Sequence, residues 1–180
     1  MSIITAAQVK NFGNIDHNEY DDTITDILIP GAEAWVESHL DCKLSVQSIS
    51  AEIVDGFGFS LWPKIKPITA LATDTAVYDA WTEEYVTGIL FTTTRLYQPK
   101  EVHFNAGAKR FSLTYTAGYS TDTCPINIKM ALLMLVNRAL LNPSAKSRQA
   151  ANGFGFSWEN LANTDIISLL ENETFKGVLD

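Results

Sequence analysis

The stretch from Thr123 to Pro143, TCPINIKMALLMLVNRALLNP, sets the tightest limit on what this chain can fold into. Pro125 suits the first helical position, where a missing N–H costs nothing, and Cys124 or Thr123 takes the cap. At the far end Pro143 pushes Asn142 out of the α region, and Arg138 suits the negative end of the helix dipole. Between these signals Ile126, Met130, Leu133, Met134, Val136, Ala139 and Leu140 spread around most of the circumference. Such a helix, over 125-141, must be covered on nearly all sides. Its apolar run is far shorter than the roughly 20 residues a bilayer span requires, which predicts a core helix and no membrane segment.

A chain of 180 residues is long enough to bury a core without disulfides or metal. The leading SIITAAQV has neither a basic nor an apolar leader region, so no export is expected, and Cys42 and Cys124 read as free thiols. The net charge is −8. Asp16, Glu19, Asp21, Asp22, Asp26, Glu33, Glu37 and Asp41 stand against Lys10 alone, so nearly the whole imbalance falls on the amino-terminal segment. Phosphate binding needs clustered Lys and Arg, and no basic stripe exists, so a nucleic-acid grip is disfavoured.

Ahead of the central helix, Thr5 and Gln8 form a capping box that opens a short helix over 5-12, which Gly13 ends. A second helix, over 21-40, is capped by Asp21 or Asp22, and Pro30 should kink or interrupt it. The β-rich part, 45-119, changes period from 3.6 to 2. Ile49, Ala51 and Ile53, then Phe57, Phe59 and Leu61, read as short strands. Phe111, Leu113 and Tyr115 alternate with Arg110, Ser112 and Thr114, and Asn105-Ala-Gly predicts a hairpin joining them to Val102 and Phe104. The fold class expected is α+β: amino-terminal helices and a long central core helix packed with a small antiparallel β-sheet, plus an extended carboxy-terminal arm. The division expected is 1-143 as one domain and 144-180 as the arm.

No catalytic or metal signature emerges. The pentapeptide GFGFS occurs at Gly56 and again at Gly153, but Leu61 and Trp158 stand where a dinucleotide loop needs its third glycine. The acidic loop from Asp16 fails as a calcium loop, with Asp21 at the turn glycine and Ile27 at the closing glutamate. His17, His39 and His103 are scattered, so no cofactor or metal is expected. An enzyme or small-ligand domain stays open as an alternative, with His103 and Glu101 as its candidate pair.

The order of features says more. An acidic helix, DDTITDILIPGAEAWVESHL, precedes strands, then Trp62-Pro63 with Lys66-Pro67-Ile68, then Tyr115-Thr-Ala-Gly118-Tyr119, then Pro125 and IKMALLMLVNRALLNP. This order resembles the head–tail connector, or adaptor, proteins of tailed bacteriophages and related gene transfer agents. The resemblance implies a structural protein of the virion neck, assembled in the host cytoplasm as a ring of about twelve copies beneath the portal protein. That ring would extend the DNA channel and meet the next neck or tail component, binding neither specific DNA sequences nor membranes. Another neck protein, a stopper or tail terminator, is the nearest alternative. On this reading Asp22, Asp26, Glu33 and Glu37 face the channel and let DNA slide by like-charge repulsion. Phe154, Phe156 and Trp158, with Ile166, Leu169 and Leu170, are expected to attach the arm to the portal.

Overall fold

The computed structural model describes residues 2–72, 75–98, 104–141, 158–171 and 173. It is α+β, and its contacts divide it into two compact units. Helices, from Met1–Leu40 together with Ser120–Thr174, make one; strands from Asp41–Tyr119 make the other.

In the helical unit α1 (Ala6–Gly13) begins with the expected capping box: Gln8 N–H donates to Thr5 Oγ1, and Thr5 N–H to Gln8 Oε1. The second helix is not broken at Pro30. It runs as α2 (Asp21–Thr23), a π-helical turn (Ile24–Leu28) and α3 (Ile29–Leu40). In a regular helix the Pro30 ring would strike the Asp26 carbonyl. The widened turn, closed by Ile29 N–H on the Ile24 carbonyl, relieves that contact without a break. Asp21 and Asp22 lie inside the first turn rather than at its cap, and no side chain caps this end.

α4 (Ile126–Leu141) is the hub of the unit, touched by α1, the π turn, α3 and two short helices, α5 (Trp158–Leu161) and α6 (Thr164–Glu171). Ile128, Ala131, Leu132, Leu135, Val136, Ala139 and Leu140 are buried at spacings of three and four. Met130, Leu133 and Met134 are half-buried around them, whereas Ile126, expected inside, is 68% exposed at the first turn. The Thr123 hydroxyl bonds to Ser120 instead of a helix donor.

The strand unit holds two sheets. β8 (Phe104–Ala117) is paired along one side by β1 (Gln47–Gly58) and along the other by β3 (Ile68–Leu71) and β4 (Val77–Asp79), with β5 (Glu84–Tyr85) beyond β4. The smaller sheet has the order β2 (Ser60–Leu61), β7 (Leu96–Tyr97), β6 (Leu90–Phe91). Phe111, Leu113, Tyr115 and Ala117 point into the core with Val54, Leu61, Ile68, Val77 and Leu96. The expected hairpin at Asn105-Ala-Gly does not form. That segment continues β8, and register shifts opposite Gly56 and Gly58 absorb it. A further bulge at Ala51, with φ of 56°, reverses the parity of β1, so Ile53 is 53% exposed and Glu52 turns inward. Gly118 (φ 92°) closes the end of β8, where a Cβ would stand 2.1 Å from the Ser45 carbonyl oxygen.

Candidate functional site

The acidic residues of the second helix do not form one stripe. On an uninterrupted helix Asp22, Asp26, Glu33 and Glu37 would fall within roughly 60° of one another. The additional residue of the π turn rotates the later pair by roughly 100° relative to the earlier one. Asp22 and Asp26 are exposed, whereas Glu33 and Glu37 are half-buried. Glu33 accepts the Ile3 N–H at 2.7 Å, and burial, reinforced by the charge of Glu37, raises its carboxyl above the ordinary value despite that bond. Asp21 pairs with Lys10 at 3.0 Å.

The carboxy-terminal residues have a different setting from the one expected. Phe154 and Phe156 lie outside the described residues, as do His103 and Glu101. Trp158 packs on α3: a Cβ built on Gly31 would lie 2.6 Å from Trp158 Cζ2. α6 is amphipathic, and its Asn163 accepts the Ile166 N–H at 3.3 Å as a cap. Ile166 and Leu170 are 0% exposed and Leu169 is half-buried, with α6 packed on α4. Arg138 donates to the Leu161 carbonyl at 3.0 Å, and Asn127 to Glu173 at 3.3 Å. Of the apolar residues expected to await a partner, Ile166 and Leu170 are thus covered by the chain's own helices. Burial also pushes the Cys124 thiol up to about 11, so it is not a reactive thiolate at neutral pH.

In the strand unit two polar pairs are built into the sheet. Lys109, at φ 52°, breaks the alternation of β8 and turns Arg110 inward, contrary to the outward position its spacing from Phe111 suggests. Arg110 makes a fork to Asp79 at 2.6 to 3.0 Å, and both are buried. The Trp81 ring lies 4.8 Å from the guanidinium, and the Trp81 backbone N–H donates to Asp79 Oδ1 at 2.9 Å. The Arg110 hydrogen bonds hold the Asp79 carboxyl below its ordinary range. Tyr115 donates to Glu52, which also accepts the Lys64 N–H at 2.8 Å. Burial, and then Glu52, raise the Tyr115 phenol far above its ordinary value. Both pairs are closed on themselves and tie strands together. An open cleft of about 270 Å³, lined by Ala51, Thr75, Tyr78, Tyr85, Ser112 and Thr114, carries no carboxylate, imidazole or amine for acid–base work. Among the described residues no cluster fit to hold a metal occurs, and no helix is long and apolar enough to cross a membrane.

No protein-family model matches the chain, and no curated protein does. Solved structures do match it. A chain from the neck of an empty gene transfer agent (GTA) particle, computed with C6 symmetry, superposes with a TM-score of 0.62 at 17% identity, covering 98% of this chain and 92% of that one. A chain from the virion of a native GTA particle gives 0.60 at 17% identity, with 98% and 94% covered. A chain from the neck of a native GTA particle, computed with C12 symmetry, gives 0.57 at 18% identity, with 97% and 91% covered. The chain is similar in fold to these particle components over nearly its whole length.

Proposed function

We propose that this chain is a structural protein of the neck of a tailed-phage or GTA-like particle, one of a ring of subunits below the portal that joins head to tail. The observation that carries the reading is the full-length fold likeness to GTA neck chains, whose particles were computed with C6 and C12 symmetry. The order of sequence features supports it independently, since it resembles connector proteins without reference to coordinates.

In this reading the exposed carboxylates Asp22 and Asp26 face solvent or the channel and repel the passing DNA, whereas Glu33 and Glu37, turned away by the π turn, are half-buried. Portal attachment falls to the carboxy-terminal segment. Phe154 and Phe156 carry the contact, while Trp158, Ile166, Leu169 and Leu170 hold the base of that segment on the chain's own helices. Deleting the gene tests the assignment: DNA-filled heads and free tails should accumulate unjoined. Normally tailed, infectious or transducing particles without this protein would overturn it.

A further inference from the structure

The cleft of the larger sheet opens on the face turned away from its core. Cross-strand partners share a face, so Tyr85, Tyr78 and Ser112 form a row across β5, β4 and β8. Val77 and Leu113, the neighbouring cross-strand pair, are 0% exposed and point the other way. Thr114 lies two residues along β8 from Ser112 on the same face, and its N–H donates to the Ala76 carbonyl at 2.8 Å, which brings Thr75 alongside. The remaining wall is Ala51, the bulge residue of β1 at φ 56°. Hydroxyl-bearing residues are common on solvated sheet faces. This face differs in being concave and in holding at its wall an alanine in a left-handed conformation, a form of strain that clusters at ligand sites.

The lining defines what fits. Thr75, Tyr78, Tyr85, Ser112 and Thr114 all bear hydroxyls, and among the described residues none of these hydroxyls is taken by another group of the chain. Each can donate and accept a hydrogen bond. The Tyr78 and Tyr85 rings stand edge to face with centroids 5.2 Å apart, and Tyr85 is 55% exposed, so aromatic surface is open to a ligand. No charged side chain lines the cleft, so an ion entering it would lose water without meeting a counter-charge. Its volume of about 270 Å³ falls just below the roughly 300–1,000 Å³ of sites for larger organic ligands, which limits the occupant to about one ring. A neutral sugar ring matches each of these properties, with a rim of hydroxyls that donate and accept and a C–H face that rests on an aromatic ring. We infer that this cleft binds one neutral pyranose unit of a glycan, with Tyr85 against the C–H face and Ser112 and Thr114 bonded to the sugar hydroxyls. The inference goes beyond the neck reading and does not depend on it.

NMR chemical-shift mapping of the full-length chain tests it, with the methyl glycosides of glucose, galactose, mannose and N-acetylglucosamine as probes and glucuronic acid as the charged control. At least one neutral glycoside should bind with a Kd of about 1 mM and shift the amides of β4, β5, β8 and the Ala51 bulge. Glucuronic acid should bind roughly tenfold more weakly. Tyr85→Ala and Thr114→Val each remove one contact from the outer face and leave the core side of the sheet unchanged, and each should weaken the binding by roughly fivefold or more. No shifts with any of the four glycosides at about 20 mM, equal binding of glucuronic acid, or binding indifferent to both variants would overturn the proposal. Shifts at the same amides when the unliganded chain is concentrated would make a second copy the occupant, and would overturn it as well. None of these outcomes alters the neck assignment, which is read from whether heads and tails join.

Discussion

Trp158 stands against Gly31, with no room for a methyl group between indole and helix. This contact ties the carboxy-terminal segment to the helix that carries the acidic residues. Gly31→Ala sets two effects in opposition. Helix propensity alone favours the alanine by about 1 kcal/mol. Crowding against a packed ring costs about 1–3 kcal/mol. The clash should win, giving a net loss of stability in denaturant unfolding and faster proteolysis beyond Leu141. A more stable variant would mean that Trp158 does not rest there.

Asp79 and Arg110 form a buried pair, so removing one partner strands the other. Asp79→Ala should cost about 3–5 kcal/mol. The carboxyl is held below its ordinary value of 3.8, so its contribution is complete above that pH and is lost only as pH falls below it through the folded value. Acid unfolding of the wild type should therefore steepen below that point, and the variant should lack this component.

Tyr115→Phe keeps the ring in the core and deletes its donor to Glu52. The loss should be about 1 kcal/mol, because the half-buried carboxylate keeps its bond from Lys64. Glu33 behaves in the opposite sense to Asp79. Its folded value is raised above 4.5, so the stability it contributes is full below 4.5 and declines as pH rises through the folded value. Glu33→Gln, which can still accept the Ile3 N–H, should be the more stable chain at neutral pH, and urea unfolding at several pH values would show it.

Asp22→Lys with Asp26→Lys should create salt-sensitive duplex binding in a chain that otherwise has none, read by fluorescence anisotropy across a salt series. Tight duplex binding by the unmodified chain at physiological salt would contradict the role given to these carboxylates. The isolated chain should also sediment largely as a monomer at low concentration. A stable ring formed without portal would contradict that expectation.

Much of the fold was legible where its signals are local. The Thr5–Gln8 box, the limits of the central helix and the alternation of Phe111, Leu113 and Tyr115 all follow from spacing alone. The failures arose where one residue shifts the phase of its element. Ala51 reversed β1, Lys109 turned Arg110 inward, and the π turn before Pro30 rotated Glu33 away from Asp22. Positive φ at a non-glycine residue leaves no reliable mark in a single sequence. The docking of Ile166 and Leu170 on α4 was hidden for another reason: an amphipathic helix shows that it must be covered, but not by what. The cleft lined by Tyr78 and Ser112 joins residues over thirty positions apart, and only the β4–β8 pairing brings them together.

The central claim is that this chain builds the neck, and electron microscopy of the protein mixed with its cognate portal tests it most directly. The account predicts a ring of this chain coaxial with the portal, continuing its channel, with density from the carboxy-terminal segment reaching the portal surface. A portal unchanged by saturating amounts of the protein, or the protein bound away from the channel axis, would contradict it.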